Sequence, residues 1–341
     1  MKKFLAILCA AVMAAGLALG ITACNKTEEG KYSVYAPDGA PALALAQLCT
    51  EEQSEFAINV VKASTITTYV TGEELKADFA IVPVNAAVKT LGSGEKYKML
   101  GTVTHGNLFL LKKASGVEIT TENLSTLVGK TVGVINLANV PGLMLKVILQ
   151  QNNIPFNQLT EGNEVATDKV NLKNISDEEA KTAINPTNAE CDYFVVPEPA
   201  ATTKINATGG KLSKAASLQT LYGGENGYPQ AVAVAKTSVI ENNSKAVETF
   251  INKLKDNQTW INNSETSAET IVNAIQSKLT ADLSPTFTAA NLNATVIANC
   301  GIRFTSNADG KQDVLNILTK LNAVSKNAWG TPADAFFYGV N

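Results

Sequence analysis

The sequence is poor in the groups that most catalytic and polyanion-binding chemistries need. Its 341 residues hold one histidine, His105, and one arginine, Arg303. A Ser-His-Asp or Cys-His nucleophile would have to use that one imidazole. No G-x-S-x-G elbow, phosphate-binding G-x-x-x-x-G-K-[ST] loop or H-E-x-x-H helix occurs, and Gly92-Ser93-Gly94 lacks the third glycine of a dinucleotide fingerprint. Catalytic residues, a cofactor and a resident metal are therefore not expected. Carboxylate chemistry, which needs no local motif, stays open. The formal charge is −3, with no basic stripe that could follow a phosphate backbone, so nucleic acid is excluded as a partner. No cysteines and histidines lie at zinc-finger spacing. Five cysteines are present. The N-terminal reading below removes Cys9 and Cys24, and the remaining Cys49, Cys191 and Cys300 are odd in number and far apart. They read as small buried thiols, with one bridge left open as the alternative.

There is ample material for a core. Apolar residues make up 45% and charged residues 17%, which excludes disorder for most of the chain. Met1-Lys2-Lys3 and the apolar run Phe4 to Ile21 read as a secretory signal, ending in Ile21-Thr22-Ala23-Cys24. Small residues before a cysteine at that point resemble a bacterial lipobox, with Cys24 lipidated and becoming the new N-terminus. An uncleaved membrane anchor is the alternative, although the run is short for a span and is broken by Gly16 and Gly20. Residues 1–23 are thus expected to be removed and 24–30 to form a tether. The 318 residues that follow position 23 suit about two domains.

Four times, a short apolar run ends in a polar or Pro/Gly turn and is followed by helical spacing. The runs are Tyr32–Ala36, Asp78–Pro83, Thr131–Ile135 and Asp192–Pro197. The helices after them begin at Pro41–Leu48, Ala86–Leu91, Gly142–Gln150 and Ala200. Such alternation predicts α/β lobes with mostly parallel sheets. Asp78, Val82, Pro83, Ala86 and Ala87 also recur 114 positions later as Asp192, Val196, Pro197, Ala200 and Ala201. In open α/β sheets, ligands sit beyond the C-terminal strand ends. Helix N-termini there offer backbone donors suited to a small polar or negative solute. The segment Lys236 to Leu279 reads as amphipathic helical scaffold, Trp260 and Trp329 as packing residues, and Phe336-Phe337-Tyr338 as a C-terminal strand or clip.

Several strings then become familiar together. They are Ala36-Pro37-Asp38-Gly39-Ala40-Pro41, Asp78-Phe79-Ala80-Ile81-Val82-Pro83-Val84-Asn85, Gly106-Asn107-Leu108, Asn139-Val140-Pro141-Gly142, Tyr193–Ala201 and Tyr228-Pro229-Gln230. In this order, from about residue 32 to the C-terminus, the chain resembles the solute-binding lipoproteins of bacterial ABC importers, in the nitrate, sulfonate, taurine and thiamine-precursor group. The resemblance implies a two-lobed type II periplasmic-binding fold, with two sheets joined by two crossing strands and a ligand cleft between the lobes. Lobe I would comprise residues 31–108 and 229–341, and lobe II residues 109–228. The crossings would fall near Val103–Leu111 and Tyr228–Ala235. The implied function is capture of a small polar solute outside the membrane by hinge closure, and delivery to a permease with its cytoplasmic ATPase. The protein would be a lipid-anchored monomer without cofactor. The ligand would be either an anion of the sulfonate or nitrate kind or an amino-pyrimidine. The rivals are an enzyme of the same fold acting on a pyrimidine-like substrate, and a sensor or surface lipoprotein.

The expected ligand residues follow from the turns and the resemblance. Asp38 and Gly39 occupy the first turn, where Asp38 touches ligand or simply caps. Asn85 stands at a helix start. Thr104, His105 and Gly106 lie where the chain leaves lobe I, and His105 replaces the aromatic residue frequent in similar proteins. Asn139 and Pro141 open a helix, with capping as the alternative role for Asn139. Glu198 would attract a ligand with a donor, or else be an exposed cap. Tyr228 and Gln230 begin the return crossing. Arg303 is left out, on the expectation that its segment lies away from the cleft.

Overall fold

The computed structural model describes residues 30–160, 164–176, 178–223, 227–281, 283–326 and 328–340. The expected signal segment, the expected lipidation site Cys24 and most of the expected tether lie outside the described residues. The strands are β1 Tyr32–Pro37, β2 Phe56–Val61, β3 Phe79–Pro83, β4 Tyr97–His105, β5 Leu108–Lys113, β6 Thr131–Ile135, β7 Phe156–Leu159, β8 Val170–Ile175, β9 Tyr193–Pro197, β10 Leu212–Ser217, β11 Pro229–Lys236 and β12 Ile302–Ser306. The helices are α1 Ala40–Leu43, α2 Ala46–Cys49, α3 Val84–Leu91, α4 Val140–Gln151, α5 Ala180–Ala183, α6 Ala200–Ala207, α7 Leu218–Tyr222, α8 Thr237–Asn242, α9 Ser244–Ile261, α10 Ala268–Gln276, α11 Ala294–Asn299 and α12 Asn307–Val324.

Two six-stranded mixed sheets result, in the orders β12-β4-β11-β3-β1-β2 and β10-β5-β9-β6-β8-β7. Within the first sheet β1, β2 and β3 run parallel, whereas β11 is antiparallel to both β3 and β4. The C-terminal ends of β1, β3 and β4 therefore share one edge. In the second sheet β6, β8 and β9 run parallel, and β5 is antiparallel to β9 with Leu108 opposite Pro197. The chain passes from β4 to β5 through Gly106 and Asn107 alone. That short link sets the C-terminal edges of the two sheets facing each other. All four turns expected from the sequence lie on these edges.

The central strands are buried on both faces, for example Phe79, Ala80, Ile81 and Val82 in β3, as a sheet covered by helices on both sides requires. The helix expected over Ala42–Leu48 is broken into α1 and α2. The side chain of Asn257, buried on α9, enters the gap. Its amide nitrogen donates to the Leu43 carbonyl at 2.9 Å, and its oxygen accepts from the Gln47 N–H at 2.8 Å. A distant amide thus takes over two backbone groups that a continuous helix would pair internally. The scaffold expected over Lys236–Leu279 consists of α8, α9 and α10. The C-terminal segment clips onto β4, where the Tyr338 N–H donates to the Met99 carbonyl at 2.9 Å.

Helix α12 touches both halves of the molecule. Val314 and Leu318 join the core around β3 and β4, while Ile317 and Leu321 join the core around α4. At the crossing, two glycines allow close approach. Gly227 (φ +69°) and Gly301 (φ +61°) both crowd the His105 carbonyl, and a Cβ would lie 2.3 Å and 2.6 Å from that oxygen, respectively. Gly227→Ala therefore combines left-handed strain with a backbone clash. It is expected to cost about 2 kcal/mol or more, read as a lowered urea midpoint. An unchanged midpoint would show that the crossing is loosely packed.

Candidate functional site

The expected residues lie at or near the facing edges, in roles that differ from residue to residue. Asn85 is the second residue of α3, just beyond β3. It is 1% exposed, and neither its side-chain oxygen nor its nitrogen has a partner. On the neighbouring edge, the Thr104 hydroxyl is also buried and unpartnered. Ala231 of β11 pairs with both Pro83 and Thr104, so the ends of β3 and β4 stand one strand apart. Buried polar atoms in native proteins are nearly always satisfied by protein, water or ligand.

The turn residues have filled themselves. Asp38 Oδ1 accepts from the Gly39 N–H at 2.8 Å, and its Oδ2 accepts from the Thr286 N–H at 2.8 Å. Gly39 adopts φ +99° with open space where a Cβ would be, a backbone conformation suited to glycine. Glu198 is not the exposed cap that was one of its expected roles. It is 1% exposed, and it accepts from Thr202 N–H at 3.0 Å, Thr202 Oγ1 at 2.8 Å and Lys214 Nζ at 2.5 Å. The Lys214 ammonium also lies 4.1 Å from the Phe109 ring centroid. A carboxylate this buried needs such partners, because desolvation without them costs several kcal/mol.

Gln230 belongs to the crossing. Its Nε2 donates to Asn107 Oδ1 at 2.7 Å, and its Oε1 accepts from the Asn107 N–H at 3.1 Å. Asn107 in turn donates to the Glu198 carbonyl at 3.1 Å, and its own carbonyl accepts the Glu198 N–H at 2.8 Å. One chain of hydrogen bonds therefore links the return strand, the outgoing crossing and the second sheet. Tyr228 lies fully buried in the apolar core around α4, its ring edge-on to Tyr222 at 5.5 Å. Its phenol is pushed well above its ordinary value by burial. Gly106 packs against Gln219, where a Cβ would meet Gln219 Cγ at 2.4 Å, so its role is spacing. Asn139 occupies the N-cap position of α4 but its side chain makes no cap hydrogen bond, and it is exposed. Pro141 sits in the first turn of α4, half-buried, as expected of proline there.

His105 and Arg303 meet in a different place. A pocket of about 210 Å³ beside the crossing is lined by Thr102, His105, Pro229, Arg303, Thr305, Asp309, Gly310 and Asp313. Arg303 thus lies next to the crossing, in this pocket. β12 pairs with β4 and brings it there. His105 Nε2 lies 3.2 Å from Thr305 Oγ1, while Nδ1 is buried without a partner. Burial, followed by the nearby Arg303 charge, lowers the imidazole from its ordinary 6.5 to about 3.

This shift has a sign. Between pH 6.5 and 3 the unfolded chain binds a proton at His105 that the folded chain refuses, so stability falls as pH falls. From pH 7 to pH 5 the loss at this residue is about 2 kcal/mol. Urea midpoints at the two pH values should show it, and His105→Gln should remove that part of the slope. Equal slopes for both proteins would assign the pH dependence to carboxylates instead.

Lys214 and Asn107 could not be singled out from the sequence as partners at this site. Neither belongs to a motif by itself, though Asn107 stood inside one of the family-like strings. Two further contacts join the halves across the cleft. Lys62 Nζ lies 3.1 Å from Glu178 Oε1, and Asn291 Nδ2 donates to Thr203 Oγ1 at 2.7 Å.

This two-sheet arrangement matches solved structures over most of its length. An ABC transporter protein from Parabacteroides distasonis superposes with a TM-score of 0.68 at 15% identity, over 92% of this chain and all of that one. The fold is that of a periplasmic binding protein. The periplasmic aliphatic sulphonate binding protein SsuA from Escherichia coli gives a TM-score of 0.60 at 13% identity, over 87% of each chain. The ligand-binding component of an ABC-type import system from Staphylococcus aureus, solved with zinc bound, gives 0.59 at 11% identity, over 91% of this chain and 96% of that one. No protein-family model matches the chain, and no curated protein matches it in sequence. Among the described residues, no group of three or more His, Cys, Asp or Glu could hold a metal ion, and no helix is long and apolar enough to cross a membrane.

Proposed function

We propose that this periplasmic-binding fold serves as the solute receptor of an ABC importer, tethered outside the membrane through Cys24 and closing its lobes, 31–108 with 229–341 and 109–228, on a small polar solute. The observation that carries the reading is Asn85. Its amide is buried at the facing edge with neither atom paired, a cost that a bound solute removes. The hydrogen-bond chain Gln230–Asn107–Glu198 gives the two halves a shared hinge. Solved structures of similar fold include binding components of importers, and this agrees with the reading.

The enzyme reading is weaker on chemical grounds. An imidazole lowered to about 3 is a poor base at neutral pH. The three described cysteines are free and buried, with Cys49 pushed up to about 12, Cys191 to about 11 and Cys300 raised by burial. Such thiols are inert as nucleophiles.

The test is a thermal-shift screen of the ligand-free chain against sulfonates, nitrate, amino-pyrimidines, amides and amino acids. A solute at about 100 times its dissociation constant adds roughly 2.7 kcal/mol, which moves the midpoint by several degrees. No shift across all classes would favour a surface role.

A further inference from the structure

Four helix starts meet the facing strand ends, and a carboxylate of the chain stands at two of them. At the first, Asp38 holds the N–H groups of Gly39 and Thr286. At the start of α6, Glu198 holds the Thr202 N–H, and the adjacent cation, Lys214, is bonded to that same carboxylate. An anionic solute arriving at either place meets a negative group already occupying the donors it would need. The chain's single guanidinium, which could grip an anion in two-pronged fashion, lies instead in the pocket with Asp309 and Asp313.

What the cleft leaves unpaired is neutral. Asn85 keeps both amide atoms buried without partners, and Thr104 keeps its hydroxyl. A carboxamide shows one acceptor and one donor group side by side. Its complement is an edge that offers a donor beside an acceptor, as in another carboxamide, a lactam or an amino-substituted ring nitrogen. A sulfonate or nitrate offers acceptors only and would leave Asn85 Oδ1 buried, unpaired and facing negative charge. Resting on the receptor reading above, we propose that the solute is an uncharged molecule whose binding edge pairs a donor with an acceptor, and that Asn85 reads that edge. The competing attractions for an anion are the starts of α3 and α4, neither of which has a side-chain cap.

The experiment titrates the full-length chain in mild detergent, stripped of ligand, by calorimetry. The neutral probes are nicotinamide, cytosine and uracil, and the anionic ones are nicotinate, methanesulfonate, ethanesulfonate and nitrate. A neutral probe should bind one-to-one, with the anions about 100-fold weaker or absent. Asn85→Leu, with wild-type circular dichroism, should abolish the neutral binding. Anions binding as tightly as the neutral probes would overturn the inference while leaving the receptor reading intact. Neutral binding that survives Asn85→Leu would also overturn it. Failure of both sets to bind would bring down the receptor reading, and the inference with it.

Discussion

Replacing Asn85 by leucine should yield a protein that is more stable when empty and unable to hold its solute. The two side chains are close in volume, so the substitution removes the polar atoms and little else. In the empty protein those atoms are buried without partners, and each such group costs roughly 1–3 kcal/mol. The ligand-free variant should therefore gain about 1–2 kcal/mol in urea unfolding. With solute present the order reverses. A site built to hydrogen-bond its ligand loses at least about 100-fold in affinity when that bond cannot form, and the ligand-induced thermal shift should vanish. Few substitutions raise stability and erase binding at once, so the pair of readouts is specific. A destabilised empty variant would mean that Asn85 is satisfied within the fold. The site would then have to be sought elsewhere on the edge.

The second large effect is at Glu198. Its side chain is fully buried, and Lys214, whose side chain is 28% exposed, depends on it for charge compensation. Glu198→Ala strands the ammonium beside Phe109 and uncaps α6 at Thr202, which should cost about 3–5 kcal/mol. Glu198→Gln keeps acceptor and shape and should cost less. The double variant Glu198→Met, Lys214→Met should recover much of the loss, because two well-packed apolar groups often replace a buried pair at little cost. Denaturant midpoints across this cycle isolate the coupling. If the double variant is as unstable as the sum of the singles, the pair is not coupled and Glu198 acts only through its cap.

The strand–turn–helix units were legible because apolar runs, prolines and glycines punctuate them locally, and β1, β3, β6 and β9 all formed where those signals stood. The break between α1 and α2 was not legible. It depends on Asn257, more than two hundred residues away, whose amide replaces two backbone bonds. The site shows the same division. Asn85 could be singled out from its place after a strand, but its lack of partners is a property of packing that no spacing encodes. The charge of Glu198 was visible, whereas Lys214, which neutralises it, arrives on β10 through sheet pairing with β5. Arg303 was expected to lie away from the cleft. Only the β12–β4 pairing brings it beside His105.

If the chain is a solute receptor, one solute occupies the cleft between the two sheets. Native mass spectrometry of the full-length chain, released from detergent after exposure to a pool of small polar metabolites, tests it most directly. The account predicts a single added mass per chain, of small-molecule size, that is absent from Asn85→Leu treated identically. No adduct on the wild-type chain, or the same adduct retained by the variant, would contradict it.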